Sequence, residues 1–342
     1  MLGISMPILI REQDVRQAVS PQDIIDAVED GFRQHGLGLA QTKPRREVRI
    51  RNKHLPHAHP DMVRVAQGLA FLEQSGVMII DHIFSFPDRR TPAMRNIKHL
   101  IDADDGHVIA VIDSVSLLGM RTGASGAIGA KFLSREDSSV AGVIGTSRQG
   151  RIQLRFLLKV RQIKRAYAYS LVPAETNAFC REMSAELGID VMPSMSVEEV
   201  TRKADILVTA TPSMRPIVKA EWLMPGVHVN IIGADDPPKI EVEALALKKA
   251  QKFVIATEDC LATGQLRIPL SEGILSEKDI YGTIGEIVAG IKPGREREDE
   301  ITIFLSPGAT LQDAAAAYKT YLKAKQLGLG IEVPDPFLPT NT

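Results

Sequence analysis

The chain has 342 residues, of which 44% are apolar, and this length and composition allow two ordinary globular domains with buried cores. Its 41 basic and 42 acidic residues give a net charge of −1, which argues against a general nucleic-acid-binding or anionic-membrane surface. No stretch approaches the roughly 20 apolar residues of a membrane span, and Met1–Ile10 is interpreted as containing a first strand rather than a signal peptide. Two cysteines, Cys180 and Cys260, are too few for a disulfide framework and favour a reducing, cytoplasmic compartment.

The N-terminal part of the sequence predicts a domain of one helix and one sheet. Pro7–Ile10 is predicted to form a short strand, and a helix is predicted to begin after the capping pair Ser20-Pro21 and to end at Gly36. Alternation of apolar and polar residues then predicts further strands, which are Glu47–Arg51, Val77–Phe86 and His107–Ile112.

From about residue 119 strands alternate with helices, which is typical of a parallel sheet. A helix rich in small residues is predicted over Thr122–Leu133. Arg121 would then begin this helix, where the helix dipole disfavours a positive charge, and this makes a ligand-binding role the more natural one. The other predicted elements are strands at Val140–Ile144, Arg165–Ser170, Ile206–Ala210, Val227–Ile232 and Phe253–Thr257, and helices at Gln149–Val160, Ala174–Leu187 and Leu311–Leu327.

The junction after Val140–Ile144 carries a candidate phosphate-binding loop, Gly145–Gly150. At such a strand-to-helix junction, backbone N–H groups and the helix dipole favour the pyrophosphate of a dinucleotide. The usual GxGxxG spacing is kept at its first and third positions, whereas the second is Ser147, whose hydroxyl can donate to phosphate. The loop therefore predicts a Rossmann-type nicotinamide-cofactor domain. A Rossmann-like domain without a dinucleotide stays open as an alternative.

The tip of the second strand of such a domain discriminates between NAD and NADP, because an acidic residue there binds the ribose diol. Here the tip is Ser170-Leu171-Val172. It has no acid to repel a 2′-phosphate and no arginine immediately after it to bind one. The choice of cofactor stays open, with a slight preference for NADP.

Four segments together resemble the ornithine cyclodeaminase/μ-crystallin family, over about residues 40 to 330. They occur in the family's order and spacing. They are Met120–Ala124 with its small-residue helix, the loop Gly145–Gly150, the stretch Asn230–Glu241, which is similar to the family pattern NxxGxDxPxKxEL, and Phe304–Gly308 followed by Gln312-Asp313.

The resemblance implies a Rossmann domain joined to an α+β domain made of the N-terminal sheet and the C-terminal helix, with a homodimer formed through that sheet. The predicted domains are 1–118 with 310–342, for substrate binding and dimerisation, and 119–309, for dinucleotide binding. The implied activity is hydride transfer at an imine or amine carbon next to a carboxylate, as in an imine reductase or amino-acid dehydrogenase. An ammonia-releasing amino-acid cyclodeaminase and a non-catalytic cofactor-binding homologue stay open as alternatives.

The resemblance also assigns residue roles. Arg121 and Arg46 would bind the substrate carboxylate, because a planar guanidinium grips a carboxylate with two parallel hydrogen bonds. Asp235 would manage protons at nitrogen. The residues implied in cofactor binding are Thr122, Gly145, Thr146, Ser147, Arg148, Gln149, Ser170, Thr209, Gly233, Lys239 and Ser306.

One position departs from the family pattern. The family has a lysine on the strand before Pro87 that contacts the substrate carboxylate, and here Asp81 holds its place, next to His82. The carboxylate of Asp81 would repel the α-carboxylate of a substrate. Asp81 would instead hold a cationic amine, or His82 would supply the acid/base group. Either the substrate is then not an ordinary α-amino acid, or the site is altered. Because successive strand residues point to opposite faces, one of the two is expected to face the site.

Three sets of residues have simpler interpretations. The histidines at 54, 57 and 59 lie among prolines, with no acids or cysteines at regular spacing, so no metal site is predicted. Asp235-Asp236 would also cap a turn before two prolines. The basic stretch Lys43–Lys53, which contains Arg45 and Arg46, would also be explained as a solvated strand face.

Overall fold

The computed structural model describes residues 6–50, 63–85, 94–235 and 238–334. The chain divides into two compact units: Met1–Gln34, Gly38–Arg121 and Thr310–Thr342 form the first, and His35–Leu37 and Thr122–Ala309 form the second. His54, His57, His59 and Asp236 lie outside the described residues. No helix within the described ranges is both long and apolar enough to cross a membrane.

In chain order the elements are β1 (Ile8–Ile10), α1 (Glu12–Ala18), α2 (Pro21–Gly36), β2 (Ala40–Ile50), β3 (Val63–Leu72), β4 (Val77–Ser85), β5 (Met94–Asp102), β6 (Val108–Asp113), α3 (Val115–Leu133), β7 (Val140–Ile144), α4 (Arg148–Leu157), β8 (Arg165–Tyr169), α5 (Pro173–Leu187), β9 (Asp190–Pro193), α6 (Val197–Lys203), β10 (Ile206–Thr209), β11 (His228–Ile231), α7 (Ala244–Lys249), β12 (Lys252–Ile255), α8 (Gly264–Ser271), β13 (Gly282–Thr283), α9 (Ile284–Val288), β14 (Thr302–Leu305), α10 (Thr310–Leu327) and β15 (Ile331–Glu332).

The first unit is built on a seven-stranded mixed sheet, in the order β15-β1-β6-β5-β4-β3-β2. Strands β2 to β6 form an antiparallel meander, and β1 pairs parallel to β6. The C-terminal helix α10 packs on β2 to β5. At Gly68 on β3 a side chain would overlap the Thr310 hydroxyl, so this glycine allows the first turn of α10 to approach the sheet closely.

The second unit contains an eight-stranded sheet in the order β13-β12-β14-β11-β10-β7-β8-β9, in which every pairing is parallel. Counted across the sheet, the six neighbouring strands β9, β8, β7, β10, β11 and β14 have the 3-2-1-4-5-6 order of a doubly wound Rossmann sheet. Strands β10, β11, β12 and β14 are buried at every position, which explains why most of their residues are apolar. The predicted α/β fold class, with a second α+β part, is confirmed.

The glycines of α3 allow close packing inside the second unit. A side chain at Gly123 would overlap Ile152 and Phe156 of α4, and one at Gly126 would overlap the Gln153 side chain. These small residues therefore bring α3 against α4, as the sequence indicated.

The structure corrects three local predictions. Helix α3 begins at Val115 rather than at Thr122, because the Ser114 carbonyl already accepts the Leu118 N–H, so Arg121 lies inside the helix and not at its positive end. Helix α4 ends at Leu157, three residues before the predicted end. The sequence patterns also did not identify several elements, which are α1, β3, β5, β9, α6, α7, α8, β13, α9, β14 and β15.

Candidate functional site

Five charged side chains meet in the first unit, and we call them the ionic cluster. They come from five different elements, β2, β4, β5, α3 and α10. Four are buried, with exposed fractions of 3% or less, and only the Arg45 side chain, at 16%, is partly exposed. The members are Arg45, Asp81, Lys98, Arg121 and Asp313.

Asp313, in the first turn of α10, is the centre of the ionic cluster. Its carboxylate oxygens lie 2.5 Å from an Arg45 nitrogen, 2.9 Å from the Lys98 Nζ and 3.0 Å from the Arg121 Nε. These three cations hold the pKa of Asp313 well below its usual range, although burial alone would raise it. Asp313 is therefore ionised at neutral pH.

Asp81 and Lys98 form a cross-strand ion pair. They are directly opposite in the antiparallel ladder of β4 and β5, and the Lys98 Nζ lies 2.7 Å from Asp81 Oδ1. The Asn96 amide donates to the same oxygen at 2.8 Å and accepts from the Lys98 ammonium at 2.6 Å, while the Ser114 hydroxyl donates to Asn96. The buried polar atoms of this ion pair thus have several hydrogen-bonding partners.

The ionic cluster contains more cationic than anionic side chains. Arg45, Lys98 and Arg121 carry three positive charges, against two negative charges on Asp81 and Asp313. Burial lowers the pKa of Arg121, and the neighbouring Asp313 opposes this effect. The five members thus bring three cationic and two anionic side chains together in a poorly solvated place.

Two predicted site residues do not join the ionic cluster. The pairing of β2 with β3 is irregular between Lys43 and Arg46, where β2 has one residue more than β3. This extra residue reverses the alternation of side chains between the two faces of the sheet. As a result Arg45 reaches the cluster, whereas Arg46 is exposed. His82 follows Asp81 and points to the opposite face of the sheet, where its ring lies 5.3 Å from the ring of His99. Burial and the charge of His82 lower the pKa of His99.

The predicted phosphate loop follows β7 in the second unit. Gly145 has a φ of 102°, and a side chain there would overlap the Ala210 carbonyl; a side chain at Gly150 would overlap the Gly145 carbonyl oxygen. The Gly145 N–H donates to Tyr169 at the end of β8 at 2.9 Å. Helix α4 then begins at Arg148 with Ser147 at its N-cap.

Two side chains of this loop carry polar atoms that lack a partner in the described structure. The Thr146 hydroxyl belongs to a residue only 6% exposed, and the Gln149 carbonyl oxygen is also buried and unbonded. Unsatisfied buried polar atoms are rare in proteins and indicate a missing ligand or water. The Thr146 hydroxyl is therefore a donor that a phosphate would accept from, whereas the Gln149 oxygen is an acceptor that a hydroxyl group or a water would satisfy.

Two other predicted cofactor residues follow strands at the carboxyl edge of the same sheet, and a third, Thr122, lies on α3. Ser306 follows β14, and its hydroxyl lies 2.6 Å from that of Ser125 on α3. Ser170 follows β8 and bonds the Thr176 hydroxyl at 2.9 Å. Thr122 is 6% exposed and its carbonyl accepts from the Gln153 amide at 2.9 Å.

Glu241 ties together the loops after β10 and β11. Its carboxylate accepts from the Thr209 hydroxyl at 2.9 Å, from the Gly233 N–H at 2.7 Å, and from both the N–H and the hydroxyl of Thr211 at 2.6 and 2.7 Å. Burial raises the pKa of Glu241 to about 7, and these hydrogen bonds act in the opposite direction. Thr209 is fully buried, and its hydroxyl donates to Glu241 and thereby helps to hold the loop in place.

Asp235 and Lys239 form a partly exposed ion pair. The Lys239 Nζ lies 2.6 Å from Asp235 Oδ1, and the two side chains are 27% and 40% exposed, respectively. Within the described ranges, no group of three or more His, Cys, Asp or Glu residues is placed to hold a metal ion.

A family model matches residues 6–327 of this chain, and its description is the ornithine cyclodeaminase/mu-crystallin family. The chain belongs to the ornithine cyclodeaminase/mu-crystallin family. The resemblance seen in the four sequence segments is thereby confirmed.

Relatives within this family include oxidoreductases of amino acids and imines. An alanine dehydrogenase from Archaeoglobus fulgidus is 34% identical over 326 residues, which cover 95% of this chain and 98% of the relative. The Delta(1)-pyrroline-2-carboxylate reductase of Thermococcus litoralis, solved with NADH and L-proline, superposes with a TM-score of 0.87 at 32% identity and covers 95% and 100% of the two chains. An archaeal alanine dehydrogenase dimer with bound NAD gives a TM-score of 0.86 at 34% identity, covering 96% and 98%.

For a member of the ornithine cyclodeaminase/mu-crystallin family, the arrangement at Asp81 is informative. The expected lysine is absent from β4, but Lys98 projects from the directly opposite position on β5. An ammonium group is therefore present in the ionic cluster, although it reaches it from the neighbouring strand. The sequence assigned no site role to Arg45, Lys98, Asp313 or Glu241, although Asp313 and Glu241 stand in the segments that carry the family resemblance. Only the strand pairing and the packing of α10 bring Arg45, Lys98 and Asp313 together.

Proposed function

We propose that this protein is an NAD(P)-dependent oxidoreductase that acts on an imine or amine carbon next to a carboxylate, as an imine reductase or an amino-acid dehydrogenase. The ionic cluster is the observation that carries this proposal. In this proposal the first unit binds the substrate and the second unit binds the dinucleotide, which are the roles that the sequence assigned to residues 1–118 with 310–342 and to residues 119–309.

The two arginines of the ionic cluster fit a substrate carboxylate. Arg121 and Arg45 have guanidinium groups, which present paired donors that match the two oxygens of a carboxylate. Asp313 and Asp81 hold these cations in place and keep them from repelling one another. Arg45 takes the role that the sequence assigned to Arg46, because Arg45 is the side chain directed to the cluster.

The phosphate loop fits a dinucleotide. Gly145 and Gly150 leave room for the close backbone turn, and the unbonded Thr146 hydroxyl and the Ser147 hydroxyl at the start of α4 supply donors for a pyrophosphate. Ser306 and Lys239 are further residues for holding the cofactor. When bound, the nicotinamide supplies or accepts the hydride.

The protein's own residues then orient the substrate and manage the proton. Arg121 and Arg45 fix the carboxylate, and this orients the neighbouring carbon. Asp235, held by Lys239, accepts or returns the proton at nitrogen. Glu241 keeps the loops that carry Thr211 and Gly233 in place.

The proposal includes a homodimer formed through the sheet of the first unit, and a cytoplasmic location. The archaeal alanine dehydrogenase relative is a dimer. The face of the sheet opposite α10 carries His82, Phe84 and the 48%-exposed Leu69, and a partner's sheet would cover these side chains. Cys180 and Cys260 are both buried and unpaired, as suits a reducing compartment.

A second candidate is an ammonia-releasing amino-acid cyclodeaminase, and the carboxylate of Asp235 favours it. The two candidates differ in one measurable quantity. An imine reductase or dehydrogenase consumes the cofactor in proportion to product, whereas a cyclodeaminase releases ammonia without net consumption of the cofactor.

Fluorescence titration with NADH and NADPH, followed by absorbance assays of turnover, tests the proposal. Delta(1)-pyrroline-2-carboxylate, and pyruvate with ammonium, are the first substrates, and we expect cofactor oxidation with one of them. Arg45→Lys should raise KM by roughly tenfold or more with a smaller effect on kcat, because a bidentate contact is lost. Binding of cofactor without turnover of any imine or amino acid would instead indicate a non-catalytic homologue, and binding of neither cofactor would contradict the proposal.

A further inference from the structure

The loop after β10 lies beside the phosphate loop, at the point where the strand order of the sheet switches direction. In a doubly wound sheet a dinucleotide binds at this point, outside the carboxyl ends of the strands. Here the point lies between β7 and β10, which are paired in parallel. A side chain at Gly145 would overlap the Ala210 carbonyl and would lie 3.1 Å from the methyl group of Thr211. The loop after β10 therefore packs directly against the phosphate loop.

The carboxylate of Glu241 joins this loop to the loop after β11. Each of its oxygens accepts one backbone and one side-chain hydrogen bond. Oε1 accepts from the N–H and the hydroxyl of Thr211, whereas Oε2 accepts from the Gly233 N–H and the Thr209 hydroxyl. A side chain at Gly233 would overlap the backbone of Thr211 and would lie 2.7 Å from Glu241 Oε1. The two loops thus meet at one carboxylate.

The position of Glu241 is itself fixed from two sides. The side-chain oxygen of Gln265, on α8, accepts from the N–H groups of Glu241 and Val242 at 2.9 and 3.1 Å. The N–H groups of Ile217 and Val218 donate to the Glu241 carbonyl at 2.8 and 3.0 Å. The carboxylate therefore projects from a backbone that is held in place, and the loops adjust to it.

The hydrogen-bond pattern requires two acceptor oxygens. The hydroxyls of Thr209 and Thr211 can rotate and accept a hydrogen bond, but a backbone N–H can only donate. Each carboxylate oxygen is bonded to one such N–H, from Thr211 or from Gly233. A proton on either oxygen makes that oxygen a weaker acceptor, because an ionised acceptor forms the stronger hydrogen bond. Protonation of Glu241 would therefore loosen one of the two loops.

The surroundings of Glu241 allow its charge to change near neutral pH. Burial raises the pKa of Glu241 to about 7, and the hydrogen bonds from Thr211, Thr209 and Gly233 oppose this effect. Within the described residues, the hydrogen-bonding partners of the carboxylate are all uncharged. The charged side chains on the segments that contact Glu241 are exposed or partly exposed, and they are Arg215, Asp235, Lys239, Glu243 and Arg267.

We infer that Glu241 is a positioning residue for the dinucleotide: its ionised carboxylate holds the loops after β10 and β11 in the conformation that receives the cofactor, and its protonation weakens cofactor binding. Because its side chain is fully buried, Glu241 acts through Thr211 and Gly233. This inference rests on the proposed function and deepens it, since it adds control of the cofactor site by pH.

Binding measurements on the wild-type protein test the inference without any turnover. We expect the Kd of NADH, measured by fluorescence, to rise roughly tenfold as the pH falls from about 8 to about 6. NADPH should give the same midpoint, although its 2′-phosphate also titrates near pH 6, because the midpoint belongs to the protein. By reciprocity, cofactor binding near neutral pH should release protons into a weakly buffered solution.

Glu241→Gln assigns the pH dependence to this carboxyl group. The amide keeps one acceptor oxygen, and its NH₂ group would face the backbone N–H of Thr211 or of Gly233. Both cofactors should bind about tenfold more weakly at about pH 8, and their Kd should no longer depend on pH. Glu243→Gln is the matched control, because Glu243 accepts from the Ala220 N–H at 2.9 Å and bonds neither loop. It should retain the wild-type pH profile.

Thr211→Val provides a readout that a merely structural role of Glu241 would not change. Valine keeps the backbone N–H and a similar volume but removes the hydroxyl that donates to Glu241 Oε1. Because this hydrogen bond favours the ionised carboxylate, its loss should move the midpoint of the pH profile upward by about one unit. The variant leaves Glu241 in place, so it also tests the inference if Glu241→Gln does not fold.

The outcomes separate this inference from the proposed function. A Kd that is constant over this pH range, or tighter binding in acid, would overturn the inference and leave the oxidoreductase proposal standing. The same holds for a pH profile that persists in Glu241→Gln or a midpoint that does not move in Thr211→Val. Binding of neither cofactor at any pH would overturn both.

Discussion

The two units build their candidate sites from different materials. In the second unit the phosphate loop is made of backbone, with Gly145 and Gly150 placed on one short stretch between β7 and α4. In the first unit the ionic cluster is made of long charged side chains from five elements. A backbone site depends on local conformation, whereas a cluster of buried charges depends on each member neutralising the others, so the two should fail differently on mutation.

Asp313→Asn should produce the largest loss of stability. It would leave Arg45, Lys98 and Arg121 with Asp81 as the remaining carboxylate of the cluster, and removing one partner from a buried ion pair costs about 3–5 kcal/mol. Urea unfolding measures this effect. Glu182→Gln, which removes an acid that is 61% exposed and paired with Arg151, is the control and should cost less than about 0.5 kcal/mol. Equal effects of the two variants would show that the cluster is not tightly coupled.

The same carboxylate gives a pH dependence of known sign. The folded pKa of Asp313 lies below the value of 3.8 for an ordinary aspartate, so its ionised form stabilises the fold fully above that value. This contribution is lost as the pH falls below about 4 towards the depressed folded pKa. The difference in unfolding free energy between wild type and Asp313→Asn should therefore be constant at neutral pH and shrink in acid. A difference that grows on acidification would contradict the assignment.

Exchanging the charges of Asp81 and Lys98 probes the arrangement that departs from the family. Asp81→Lys alone would place four cations around Asp313, and Lys98→Asp alone would place three carboxylates beside two arginines. The double variant restores both the net charge and the cross-strand pair. It should be more stable than either single variant, with a coupling energy of about 2–3 kcal/mol in a double-mutant cycle of urea unfolding. Additive losses would mean that the pair contributes nothing as a unit.

In the backbone-built site, Gly145→Ala should cost about 1–3 kcal/mol, because an alanine would have to adopt a φ near 102° and would overlap the Ala210 carbonyl. It should also abolish cofactor binding, measured by NADH and NADPH fluorescence. The matched control is Gly188→Ala, at a φ of 68° after α5 with open space around it. It should cost about 1 kcal/mol and leave cofactor binding intact. Similar binding losses in both would mean that the loop geometry is not specific to the ligand.

These differences also explain what the sequence could reveal. The strand, loop and helix around Gly145 follow one another in the chain, so their spacing alone predicts them. Arg45 and Lys98 are unremarkable in sequence, because their roles depend on an irregular pairing in β2 and on a register between β4 and β5. Arg46 and His82 were chosen by position along the chain, and a shift of one residue on a strand sends a side chain to the other face. The residues around Arg121 identify it as a site residue. Its position inside α3 could not be predicted in the same way, because the helix begins six residues upstream of it, at Val115.

Asp235→Asn should have the smallest effect on stability of these variants while affecting activity strongly. The Asp235–Lys239 pair is partly exposed, and such pairs contribute less than about 1 kcal/mol, so urea unfolding should change by no more than about 0.5 kcal/mol. If Asp235 manages the proton at nitrogen, kcat should fall by about 10²- to 10⁴-fold and cofactor binding should be unchanged. Asp137→Asn, at an aspartate 82% exposed and paired with Arg135, should leave both stability and kcat near wild type. A large kcat loss at nearly constant stability would set Asp235 apart from the ionic cluster, where the same type of substitution is expected to weaken the fold itself. An unchanged kcat would remove Asp235 from the proton chemistry.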